Sequence, residues 1–264
     1  MRSDTFPGLP RPRARALIAI APDARRFREW TGSGAPDWGA AIAIPDQQRI
    51  VMQGRSAGSD AGDPRVVLRH ELAHLALHEA LGSLPPRWFD EGYAGYAAGE
   101  WSRDDVLSAN VGLVLYGIPA SLDSLEDRFH GGASRASGAY ALAYRAVSDL
   151  AALDPQRGLS LFFSYWKATG SMDQAMRKAF GLTKSGFESE WRSRTMRRYG
   201  MLALAANLSL LFALLAFLLL PLTYLRRRRD RLRMEKLRAA EAASEAATAA
   251  AIAAASVETH TESQ

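Results

Sequence analysis

Asp63–Gly82 reads DPRVVLRHELAHLALHEALG, and Arg87–Ala94 reads RWFDEGYA. In the first stretch Asp63 is a good N-cap, and Pro64 suits the first helical position, where no backbone N–H is needed. Val67, Leu68, Leu72, Leu75 and Leu77 then recur at helical spacing up to Gly82, a helix stop. Inside this helix lies His70-Glu71-Leu72-Ala73-His74. Residues four apart share a face, so both imidazoles can reach one metal ion. Glu71 sits about 100° around the helix from His70, beside such an ion rather than on it, where it can take a proton from a water. Two imidazoles and a hard carboxylate suit Zn²⁺ in an open three-ligand site. Glu91, in the early turns of the helix that follows the Pro85-Pro86 turn, is the candidate third ligand.

Upstream, the period is that of strands. Ala16–Ala21 (ALIAIA) reads as a short buried strand, followed by a helix beginning near Asp23. Ala40–Ile44 and Arg49–Met52 flank the turn residues Pro45-Asp46-Gln47-Gln48 and read as a hairpin. Residues 1–15 are Pro/Arg-rich and unpatterned. Downstream, Trp88–Arg198 is expected to be helical, with breaks at Gly117-Ile118-Pro119, Gly131-Gly132, Asp154-Pro155 and Gly170. A small sheet first and helices afterwards is an α+β arrangement.

HELAH followed seventeen residues later by the glutamate of WFDEGYA resembles the gluzincin zinc metallopeptidases, specifically the peptidase MA-like family. The likeness extends to Tyr140–Leu150 and Met172–Trp191, which look like that family's helical C-terminal half, and covers roughly residues 16–198. It implies a zincin-like fold with His70, His74 and Glu91 as zinc ligands and Glu71 as general base. It also implies an oxyanion stabiliser in the helical half: Tyr140 matches best, with Tyr144, Tyr93 and His130 as rivals. The chain departs from the pattern in one place. Many gluzincins carry an acidic residue one turn after the ligand glutamate, and here that position is Gly95. A carboxylate that orients a ligand histidine must then come from elsewhere, with Asp90 and Glu100 as candidates. His78 is one further turn along the helix and drifts away from the His70–His74 point, so it is expected to be a packed or surface histidine.

Met201–Leu225 (MLALAANLSLLFALLAFLLLPLTYL) contains no charged side chain and is expected to form one transmembrane helix. Four arginines lie in the fifteen residues before it, and eight Lys/Arg in the fifteen after it, which puts the C-terminal side in the cytoplasm. Residues 226–264 form the cytoplasmic tail, first basic and then alanine-rich, and are expected to be loosely helical to disordered. With residues 16–198 outside, export needs a signal that residues 1–21 do not supply. The expectation is therefore that the true start lies upstream of Met1 and that a signal peptide precedes this sequence.

Lys and Arg total 33 against 28 Asp and Glu, and the excess borders the apolar run without interleaved aromatics. Nucleic-acid binding is excluded on that ground. The absence of cysteine excludes a disulfide scaffold, a thiolate metal site and a cysteine nucleophile. The expected activity is membrane-anchored, zinc-dependent hydrolysis of peptide or protein substrates by a metal-activated water, with Glu71 as base. A non-peptide amide is the competing substrate class. The alternative from another class is a catalytically silent zincin-like scaffold that binds a partner, against which the presence of Glu71 argues. The oligomeric state is not legible.

Overall fold

The computed structural model describes residues 6–10, 12–32, 39–54, 62–82, 85–100, 113 and 116–261, with the side chains of 133–134, 199–208, 210 and 239–261 excepted. The helical reading of 101–112 lies outside these. The architecture is mixed α+β, mostly helical, with one three-stranded sheet among the described residues. In chain order come β1 (Leu17–Ala21), α1 (Ala24–Thr31), β2 (Ala41–Ile44) and β3 (Arg49–Gln53). The helical part follows as α2 (Pro64–Leu81), α3 (Arg87–Ala98), α4 (Glu126–Phe129), α5 (Ala133–Ala151), α6 (Ser160–Thr169), α7 (Met172–Phe180) and α8 (Lys184–Thr261).

The strand order is β1-β3-β2. β3 pairs parallel with β1 and antiparallel with β2, so the predicted hairpin forms and β2 stands at an edge. Period-two alternation sends β3 side chains to both faces. Val51 joins Phe27 of α1, while Ile50 and Met52 join Leu75 of α2. The central strand is thus covered on both sides, and its second cover is the helix that bears HELAH.

That helix starts and ends where its residues dictate. The Asp63 side chain accepts from the Arg65 N–H, and Gly82 closes the helix at φ +69°, a left-handed conformation that costs glycine nothing. α3 gives the core its large aromatic centre: Trp88, Phe89 and Tyr93 are buried with Phe162, Phe163 and Trp166 of α6. Two N-terminal residues without local pattern also lie in that core. Phe6 and Leu9 are buried, and Pro7 O accepts from the Tyr93 hydroxyl at 2.9 Å. The Arg13 and Ala14 N–H groups donate to Glu79 of α2 at 2.9 and 3.3 Å.

The chain divides into two compact units, Met1–Ala205 and Ala206–Gln264. The first holds the sheet and the site helices; Phe187 and Trp191 of α8 belong to its core. The second is helical to Thr261, where the sequence alone suggests a loosely helical to disordered tail. Among the described residues no helix is long and apolar enough to cross a membrane. The expected transmembrane helix, Met201–Leu225, is thus not found as such.

Candidate functional site

α2 and α3 pack against each other and bring His70, His74 and Glu91 together. One potential ligand atom from each lies within 4.8 Å of the others. His70 Nε2 stands 3.5 Å and His74 Nε2 3.6 Å from the same oxygen, Glu91 Oε2. Three donors facing a common point at this spacing match the chemistry of a tetrahedral Zn²⁺ site with one position open. The donor set fits that ion.

Each of the three side chains is held from behind. The His70 Nδ1–H donates to the Glu100 carboxylate at 3.0 Å, and the His74 Nδ1–H donates to Asp90 Oδ1 at 2.8 Å. An ionised carboxylate can only accept, so both Nδ1 atoms carry the hydrogen and both Nε2 atoms are left to face the common point. Arg87 Nε lies 3.6 Å from Glu91 Oε1, leaving Oε2 for that point. Asp90 Oδ2 is also 3.7 Å from His78 Nε2, so His78 leans on Asp90 rather than joining the three. Both carboxylates weighed as substitutes for an acid at position 95 therefore contact a candidate ligand. The sequence marks Arg87 only by its i,i+4 spacing to Glu91, which many surface pairs share.

The electrostatics follow from this packing. Burial works against protonation of His74, but Asp90 and Glu91 together outweigh it and hold the pKa at about 9. Burial likewise opposes protonation of His70, and Glu100 and Glu91 together raise it well above the usual imidazole range. Burial pushes Asp90 and Glu91 up, yet the adjacent histidines pull both below the usual carboxylate range. Glu71 goes the other way. Burial raises it, and the attraction of His70 and His74 and a hydrogen bond from the Ala43 backbone offset only part of that rise. Two neighbouring carboxylates with opposite shifts are suited to different tasks, the lowered one to holding a cation and the raised one to exchanging a proton.

A cleft of about 460 Å³ opens over these residues. Ala41–Ala43 of β2, Arg87 and Tyr140 line it together with Glu71, His74 and Glu91. Of the four oxyanion candidates, only Tyr140 is a lining residue of this cleft. Arg87 hydrogen-bonds to it, and burial raises its pKa, so the phenol keeps its proton. Tyr93 is fully buried with its hydroxyl committed to Pro7. Tyr144 lines a smaller neighbouring cavity and packs edge-on against Tyr96, and His130 is exposed beside Glu126.

No curated protein matches the sequence. The family model described as the Peptidase MA superfamily matches residues 33–197, a stretch that holds β2, β3, every candidate ligand and the cleft. With more than half of its length matched, this peptidase-like chain belongs to the Peptidase MA superfamily.

Proposed function

We propose that the protein is a membrane-anchored zinc peptidase of the gluzincin type. What supports this reading above all is the convergence of two imidazole Nε2 atoms on one oxygen of Glu91, with Glu71 lining the same cleft. His70, His74 and Glu91 would hold the ion. Zinc supplies Lewis acidity toward a water and a substrate carbonyl when it is bound there.

The remaining work falls to the chain. Glu71, its pKa raised by burial, takes a proton from the attacking water on its carboxylate and passes it to the leaving amine. Tyr140 keeps its hydroxyl proton and offers it to the negative charge that develops on the carbonyl oxygen. β2 lines the cleft as an edge strand, so an extended peptide can add to it through main-chain hydrogen bonds. The substrate is accordingly a peptide or protein.

The anchor is the apolar run Met201–Leu225. Its described large apolar side chains stand exposed, Leu211 at 60% and Phe217 at 71% among them, and a helix apolar on every face needs a non-aqueous or protein environment. The basic run Arg226–Arg229 that follows it then lies in the cytoplasm and the peptidase domain outside.

The purified full chain is expected to bind one zinc, which chelators remove and His70→Ala or Glu91→Ala sharply weakens. Glu71→Gln should keep the metal and lose activity on a broad peptide library by roughly 10²–10⁴-fold. A chain that binds no zinc, or equal cleavage by wild type and Glu71→Gln, overturns the reading. Protease added to intact cells should digest the domain. A domain protected until the membrane is breached overturns the topology.

A further inference from the structure

The way α3 ends bears directly on His70. The Gly99 N–H donates to Tyr96 O at 3.3 Å, and the Glu100 N–H donates back to Gly95 O at 3.1 Å. Gly99 is left-handed at φ +73°. These two bonds define a Schellman ending, in which the residue after the glycine folds back over the residue that opens the last turn. Side chains at those two positions usually make an apolar contact. Here they are Glu100 and Gly95, and the contact is of another kind.

Gly95 presents no side chain, and the Glu100 carboxylate fills the vacancy. A Cβ built on Gly95 would lie 3.3 Å from Glu100 Oε2 and 3.4 Å from Tyr144 Cδ2. From that place both Glu100 oxygens reach His70 Nδ1 at 3.0 Å. The Glu100 side chain is one-third exposed and lines the cleft, whereas the carboxylate behind His74 belongs to α3 itself.

We propose that the helix-ending motif Gly95–Glu100 is the device that orients His70: the left-handed Gly99 turns the chain, Gly95 leaves the space, and Glu100 delivers the carboxylate from beyond the helix. Glu100 is a positioning residue that acts through His70, and Gly95 and Gly99 act through Glu100. The inference rests on the zinc reading above. It implies that the carboxylate is transferable. With Glu100 removed, an aspartate at position 95 would occupy nearly the same space from within the helix and restore the hydrogen bond to His70.

The test is zinc affinity of the full chain, measured by competition with a chromophoric chelator, together with the visible spectrum of the Co²⁺-loaded protein. Glu100→Ala is expected to weaken zinc binding about 10–100-fold, the range for loss of a ligand-orienting partner, and to shift the cobalt bands. Glu100→Gln should weaken it less. Gly95→Asp combined with Glu100→Ala should recover most of the affinity and the wild-type bands, whereas Gly95→Asp alone crowds two carboxylates and should weaken binding. Metal-free Glu100→Ala should keep the wild-type circular dichroism, because the motif's bonds are main-chain, and should melt lower, because buried His70 loses its carboxylate partner. Wild-type affinity in Glu100→Ala overturns the proposal, and so does a double variant no better than Glu100→Ala. A wild-type chain that takes up no zinc instead overturns the metal reading beneath it.

Discussion

Asp90 accepts from His74 through one oxygen and faces His78 through the other. It therefore fixes the tautomer of one candidate ligand and keeps a third imidazole away from the point on which His70, His74 and Glu91 converge. Replacing it by alanine is expected to lower zinc affinity about 10–100-fold. His78→Ala, which removes only the outer partner, should change it little. Isothermal titration of the two variants against wild type checks this, and a large loss in His78→Ala would restore that histidine as a ligand. At this scale the sequence was informative where spacing carries chemistry. His70, Glu71 and His74 were legible because four residues make one turn and one residue makes about 100°. Arg87 was not, because an arginine four residues before a glutamate is indistinguishable from a solvated helix pair until the fold buries its partner.

At the scale of elements, α3 meets α5 through Gly92, and the approach is close. A Cβ there would fall 2.4 Å from Ala143 O and 2.9 Å from Val147 Cγ2. Since the first of these is backbone, it cannot swing aside. Gly92→Ala must therefore push the helices apart, at a cost of about 1–3 kcal/mol for an overpacked contact. The neighbouring Glu91 would move with α3, so zinc content should fall along with the melting temperature. Thermal unfolding and metal analysis of the same preparation check both, and an unchanged melting temperature would contradict the close packing. The motif E-G in the sequence marked this glycine as part of a resemblance but not as a spacer, since nothing local to α3 says which helix lies across it. By contrast the ends of α2 were readable in advance, because Asp63 and Gly82 satisfy that helix's own termini.

Across the whole first unit, the stretch that looked least structured holds part of the core. Residues 6–10 and 12–15 form neither helix nor strand, so this stretch carries no period, yet Phe6 and Leu9 are buried in a core built from residues far along the chain. Such burial leaves no local signature. Phe6, 4% exposed and beneath the Arg69 guanidinium, should cost about 3–5 kcal/mol when truncated to alanine. Urea unfolding of the full chain followed by tryptophan fluorescence checks this, and an unchanged midpoint would mean the segment is only laid on the surface. The strands were legible from their apolar runs, but their order was not, because nothing local to β3 says that it pairs with both β1 and β2; and β1, whose apolar run suggests a buried strand, leaves Leu17, Ile18 and Ile20 exposed at the edge.

That order has a chemical consequence for the substrate. β2 spends one side of its main chain on β3, so whatever amides it offers to the cleft point outward at every second residue. A peptide laid along it must return its own N–H groups with the same beat. Proline or an N-methylated residue in one phase of the substrate removes a needed donor, and in the other phase removes nothing. Sensitivity to proline that alternates with position, rather than preference for any one side chain, is the mark that this edge would leave on a cleavage profile.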